Sequence, residues 1–451
     1  MSKKIRSALS GLLTIVVFLG LSIGYAAEPT FDEWLESVKT EYAGESLTFV
    51  MAVHPTTSAM TSMLADFERD TGIKVNTEEV QENHLHDKLL LDFVSGGGNY
   101  DVFYLDTCWV GEFARKRVTQ DLTSYINREG QYDWYDYDDF VTAWSKGSGM
   151  IDNRVHGVPI NGEVTLIVYR KDILDKYGIT EDDLDTTDKF LEQVKFLESK
   201  EPDVYPVVFR SRRGHNAVYS YFQFLYPFGG TLFNPGEWEP QLTTAEAVEA
   251  LKFMCELKKY APPGMENFGV EEANTTFRSG KAVFWVGANP AIPGYSNPEV
   301  SPVIAGKIDV LQIPQGPGGN YSGWTAWNLG VSSRSRKKDL AWVFLQYMTS
   351  KEKGYDYITS GGSPVRISQF ENLELVEKNW HFPEMLKSLE QAANLANTGV
   401  DWRPRIPEWT KISEELGYYV AMAFIGEMTP EQALENANNA IREIMEDAGY
   451  Y

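Results

Sequence analysis

Residues 156–174 read HGVPINGEVTLIVYRKDIL. Val164 to Tyr169 is an apolar, β-branched run whose pattern predicts a strand buried on both faces. Ahead of it lies a second extended segment, residues 156–160, containing Pro159. Between the two, Asn161-Gly162-Glu163 supplies turn residues and one carboxylate. A helix then opens with Arg170-Lys171-Asp172-Ile173-Leu174, so the stretch reads as a crossing between two lobes. Ligand clefts form where strands end and the chain changes layer, so Glu163 either points into a cleft or caps the turn.

A chain of 451 residues is too long for one ordinary core, and two to three units of domain size are expected. With 43% hydrophobic and 13% aromatic residues it buries real cores and is not disordered. Lys3, Lys4 and Arg6 precede an uncharged run, residues 7–23, and Gly24-Tyr25-Ala26 presents small residues at a cleavage position. These features predict a signal peptide, residues 1–26, cut after Ala26, and a soluble periplasmic product. The apolar run is short and interrupted by Ser10, Gly11 and Gly20, which argues against a permanent span. Its removal takes the net charge from −23 to −26, which excludes bulk-charge binding to nucleic acid or anionic lipid. Cys108 and Cys255 fall in segments assigned to different lobes, with no metal-ligand spacing around either, and are expected as free thiols.

In the first lobe, the apolar run 47–53 leads through His54-Pro55-Thr56-Thr57-Ser58 to a helix face of Met60, Met63, Leu64 and Phe67, and a strand begins at Ile73. This β-α-β order implies a parallel sheet with its strand-to-helix loops on one edge. His54 and Thr56 are therefore site candidates, although N-capping accounts for the same residue types. Gly96-Gly97-Gly98 follows a helix, with no Gly-Lys-Ser/Thr after it, and so ends that helix without cradling phosphate. Asp106 and Trp109 fall at the end of the next strand, on the same edge, and Trp109 is equally placed to pack as the first apolar residue of a helix. His84-x-His86 with Glu82 and Asp87 has no third His nearby, and reads as a solvated helix start without a metal.

Beyond the crossing, Arg210, Arg212 and Arg213 cluster at a strand end in an acidic chain. Their planar forks suit vicinal hydroxyls or a carboxylate, and one of the three is expected at a site. Residues 282–285 predict a strand whose following loop carries Asn289. Trp324 precedes another strand, residues 326–332, and a helix with Ala341, Phe344, Leu345 and Met348 on one face follows.

Several of these stretches resemble extracellular solute-binding proteins of ATP-binding-cassette importers, in the family that includes maltose-binding protein. The shared elements are Gly157-Val158-Pro159 with the loop, strand and Tyr169-Arg170-Lys171-Asp172-Ile173-Leu174. They continue with Phe277-Arg278-Ser279-Gly280-Lys281-Ala282, and with Gly323-Trp324 followed by a strand, a basic loop and Ala341-Trp342. Residues 361–366, ending at Arg366, match the next crossing. Arg403-Pro404 with Pro407 resembles a segment of members that bind sugars or polyols. The resemblance implies an α/β, two-lobed type II periplasmic-binding-protein fold with three interlobe crossings and the ligand between the lobes. Lobe one is expected at 28–160 plus 325–365, and lobe two at 161–324 plus 366–451. It further implies capture of a carbohydrate or polyol by a monomer, delivery to permease transmembrane subunits, and no cofactor. The expected ligand-binding set is His54, Thr56, Asp106, Trp109, Glu163, Arg210, Asn289, Trp324, Arg366 and Arg403, with Trp109 and Trp324 as stacking surfaces.

Two rivals share parts of this pattern. A secreted glycosidase would need paired carboxylates, and no such signature, Gly-x-Ser-x-Gly or zinc motif is present. A ferric-iron receptor would use a tyrosine pair, for which Tyr418-Tyr419 stands in, but those residues lie in an apolar helical stretch suited to packing.

Overall fold

The computed structural model describes residues 28–451. The expected signal peptide lies outside them. No described helix is long and apolar enough to cross a membrane.

Among the described residues there are ten strands: β1 Ser46–Ala52, β2 Lys74–Val80, β3 Val102–Asp106, β4 Met150–Ile151, β5 Arg154–Val155, β6 Val158–Arg170, β7 Tyr205–Phe209, β8 Ala282–Ala288, β9 Ile308–Leu311 and β10 Trp324–Val331. Apart from the β4–β5 hairpin they form one sheet in the order β2-β1-β3-β10-β6-β8-β7, with β9 also paired to β6. β1 is parallel to both neighbours, whereas β10 runs antiparallel to β3 and β6.

The two extended segments predicted around residues 156–169 are in fact one continuous strand, buried at all thirteen positions. Residues 158–164 pair with β10, and from Thr165 onward the partners are β8 and β9. Asn161-Gly162-Glu163 is therefore not a turn, because β10 pairs with it in an antiparallel ladder that holds it extended. Gly162 is needed here for space, since a Cβ would lie 2.4 Å from the Pro364 carbonyl oxygen and 2.6 Å from the Trp144 ring.

Helices cover both parts of the sheet. On the first, Phe344 of helix Lys338–Thr349 packs against Phe49 of β1 and Phe67 of helix Thr57–Thr71, at centroid separations of 5.4 and 5.2 Å. On the second, Phe190 of helix Thr187–Lys200 meets Phe284 of β8 at 5.0 Å, and Phe424 of helix Trp409–Ile425 meets Phe209 of β7 at 6.0 Å. Helix His215–Phe228 has a nearly continuous buried surface and no polar stripe, which is why periodicity did not reveal it. The result is two α/β lobes sharing β6, with the strand-to-helix loops of both facing one cleft.

Candidate ligand cleft

A chamber of about 70 Å³ lies between the lobes and opens into a wider groove of about 400 Å³. His54 reaches the chamber from the loop after β1, Asp106 from the end of β3, Glu163 from the middle of β6, and Thr325 and Trp327 from β10. The second lobe contributes Arg210 just past β7, His215 at the first turn of its helix, Trp285 from β8, and Arg403. These are strand ends and a crossing strand, where an α/β fold presents side chains to a ligand.

The polar groups are held in defined orientations. His54 Nδ1 sits 2.8 Å from Thr56 Oγ1, and its Nε2 sits 3.0 Å from Glu163 Oε1. Asp106 Oδ1 accepts from the Cys108 amide at 3.1 Å and lies 4.0 Å from Arg403 Nη2, while Arg403 Nη1 is 3.3 Å from His215 Nε2. Arg210 lays its guanidinium flat on the Tyr219 ring, 3.3 Å from the centroid, a cation–π contact that fixes its plane. Arg210 itself is half-buried, and among the described residues the Thr325 hydroxyl, Trp285 Nε1 and Arg403 Nε are buried and unpaired.

Electrostatics follow from the crowding. Burial raises the Glu82 carboxyl above the usual range; Arg210 opposes the shift, while Asp106 and Glu163 reinforce it. Burial pushes His215 well below the ordinary imidazole value, and the positive charges of Arg403 and Arg210 push the same way, so His215 is neutral at pH 7. Glu82, Asp106 and His215 place one donor atom each within 4.8 Å of one another, the geometry of a possible metal grouping. The Arg403 guanidinium already stands against both Asp106 and His215, however, and its fixed positive charge opposes a cation there.

Of the residues expected from sequence, His54, Asp106, Glu163, Arg210 and Arg403 converge on the chamber, and Trp109 lines only the outer groove. The other four lie elsewhere. Thr56 is fully buried and orients His54. Asn289 is 1% exposed, accepts the Val164 amide at 2.8 Å and donates to Ser363 Oγ at 2.9 Å, so it pins the crossing. Arg366 is also 1% exposed and is tied to the Thr349 carbonyl and Asp139. Trp324 points away from the chamber onto the helix Thr142–Gly149, where a Cβ on Gly147 would lie 2.7 Å from its ring. The alternation of β10 explains this: Thr325 and Trp327 share the cleft face, and Trp324 has the other.

Sequence reasoning missed Glu82, His215, Trp285, Thr325 and Trp327. Glu82, expected in a solvated helix start, lines the chamber instead. In the structure Thr325 lies opposite Glu163 and Trp327 shares its parity on β10, which brings both to the chamber. His86, expected at a solvated helix start, is buried and pairs with Glu112 at 2.7 Å. Tyr418 and Tyr419 line neither cavity, and Tyr418 stacks under Arg213. Both cysteines are free thiols, and burial raises Cys255 to about 11.

This is the architecture of a two-lobed binding protein. Residues 53–355 match the model of the bacterial extracellular solute-binding protein family, and the chain belongs to that family. It is 27% identical over 451 residues to a probable amino-acid ABC transporter periplasmic-binding protein of Sinorhizobium fredii, covering 99% of each chain. To the erythritol/L-threitol-binding protein of Mycolicibacterium smegmatis it is 25% identical, over 73% of this chain and 72% of the other. An ABC transporter solute-binding protein from Agrobacterium radiobacter K84, solved in complex with ribitol, superposes with a TM-score of 0.82 at 25% identity, over 89% of this chain and 99% of that one.

Proposed function

We propose that the protein captures a neutral carbohydrate or polyol in this cleft and delivers it to the transmembrane permease of an ABC importer, without turnover. The lobes, 28–160 with 325–365 and 161–324 with 366–451, act as the two halves of a clamp. The observation that carries the reading is the convergence of free donors and acceptors on a chamber walled by Trp285 and Trp327. A hydroxyl both donates and accepts, so a polyol satisfies Arg210 and Glu82 together, while its C–H surface lies against an indole. The small inner chamber favours one short polyol or monosaccharide unit. The names of the relatives that bind erythritol, threitol and ribitol support the same class.

The protein is expected to work as a monomer in the periplasm, exported by a leader cut after Ala26. Mass spectrometry of solute released from freshly purified protein tests the ligand class. Calorimetric titration with erythritol, ribitol, D-mannitol, maltose and a set of free amino acids then separates the possibilities. Binding of an amino acid with no response to any polyol or sugar overturns the reading, as does shortening of maltose on incubation.

A further inference from the structure

Residues 401–410 form a strap that is anchored on the second lobe and docked on the first. Trp402 packs against Tyr226 at 5.2 Å, and its carbonyl accepts from Tyr226 Oη at 2.8 Å. Glu408 accepts from Tyr450 Oη at 3.0 Å. Across the cleft, Arg405 Nη1 donates to the Met150 carbonyl at 3.0 Å, and Thr410 Oγ1 lies 3.4 Å from both His86 and Glu112.

The tightest approach involves Gly111, the second residue of helix Val110–Arg115. A Cβ there would stand 2.0 Å from the Arg405 carbonyl oxygen and 2.6 Å from its carbon. Both are backbone atoms, so the clash has no side-chain escape. Gly111 does not have a positive φ, and in an ordinary helical conformation glycine is the poorest choice after proline. Its absent side chain therefore has a use in the contact and none in the helix. Neither Gly111 nor Arg405 lines the chamber or the groove, so the contact closes the lobes without touching solute.

We propose that Gly111 and the Arg405 segment of the strap form a latch that holds the lobes closed through a contact outside the solute chamber, making Gly111 a positioning residue for capture. A binding protein whose competent closed state is only fractionally populated loses apparent affinity by that fraction, so a built-in closing contact sets affinity without contacting the ligand. The inference rests on lobe closure and holds whatever solute is bound.

The test compares wild type with Gly111→Ala, both freed of solute by unfolding and refolding. Small-angle scattering of the ligand-free variant is expected to give a larger radius of gyration than ligand-free wild type. Thermal melting of the same samples is expected to be unchanged or raised, because alanine favours the helix once the strap has left it. Equal radii of gyration overturn the latch. A melt depressed by several degrees overturns it too, since Gly111 would then be needed for the fold of its own lobe.

Discussion

His54 Nε2 lies 3.0 Å from Glu163 Oε1, joining the loop after β1 to the midpoint of the strand shared by both lobes. The two side chains are only 10% and 9% exposed, and both border the chamber. The imidazole is in turn set by Thr56, whose hydroxyl faces Nδ1. The carboxylate is thereby held in a fixed orientation at the chamber wall.

Glu163→Gln therefore tests whether that carboxylate accepts from the solute. Hydrogen bonds to charged groups contribute about 1.5–3 kcal/mol, so calorimetry with the identified ligand should show binding weakened roughly 10- to 150-fold. An unchanged dissociation constant removes Glu163 from the ligand contacts.

Trp324 and Trp327 are one turn of the pleat apart in purpose as well as in direction. Trp327→Ala strips an indole that borders the chamber and packs on Tyr104 and Trp109 at 5.7 and 5.5 Å, so both affinity and melting temperature should fall. Trp324→Ala should lower only the melt, by several degrees, because the side chain packs on Gly147 outside the chamber. Loss of affinity in Trp324→Ala with an unaltered melt would reverse that assignment.

The sheet was legible because β1, β3, β8 and β10 are apolar runs bounded by loops, and the first lobe's β-α-β order allows few topologies. Residues on strand ends followed from that order: His54 and Asp106 had to share an edge. The errors came from information that sequence does not carry locally. Whether Asn161-Gly162-Glu163 bends or extends depends on β10, more than 150 residues later, as a pairing partner. Which of Trp324 and Trp327 faces the cleft depends on register, and a slip of one residue exchanges them. Asn289 and Arg366 were chosen for their chemistry, which serves a buried crossing as readily as a ligand. Glu82 and His215 reach the chamber from the first turns of two helices in different lobes, a juxtaposition visible only once the lobes face each other.

His381 offers a pH test of stability. Burial alone depresses it to about 3, and its Nδ1 has no partner among the described residues. The folded protein keeps it neutral, whereas the unfolded chain takes up a proton below the ordinary value of 6.5. Between those two values the unfolded state binds more protons, so stability falls as the pH falls, by at most about 1.4 kcal/mol per unit. At pH 5 this amounts to about 2 kcal/mol relative to neutral solution. His86 works in the opposite sense, since burial lowers its pKa but Glu112 and Asp87 outweigh that and raise it. The informative quantity is therefore the difference between wild type and His381→Gln. Urea midpoints at pH 7 and pH 5 should separate less in the variant; an equal separation would show that His381 does not drive the acid sensitivity.

Arg366 provides the sharpest contrast between a ligand contact and a structural pin. Its Nε and Nη2 donate to the Thr349 carbonyl at 3.0 and 2.7 Å, and Nη1 reaches the Asp136 carbonyl at 2.9 Å and Asp139 at 3.2 Å. The guanidinium also stacks on Phe140, 3.8 Å from the ring centroid. Four of its five N–H donors are thus used on first-lobe partners, and at 1% exposure the group offers no face to a solute. Arg366→Met keeps much of the volume but strands Asp139, which is 9% exposed, next to apolar carbon. Removing one partner of a buried ion pair costs about 3–5 kcal/mol. The lower end applies here, because Ser368 still donates to Asp139 through its amide at 2.9 Å and its hydroxyl at 2.6 Å. Urea denaturation should therefore show a loss of about 3 kcal/mol, and titration of the folded variant should return the wild-type dissociation constant. The opposite outcome, weakened binding with unchanged stability, would put Arg366 back among the ligand contacts.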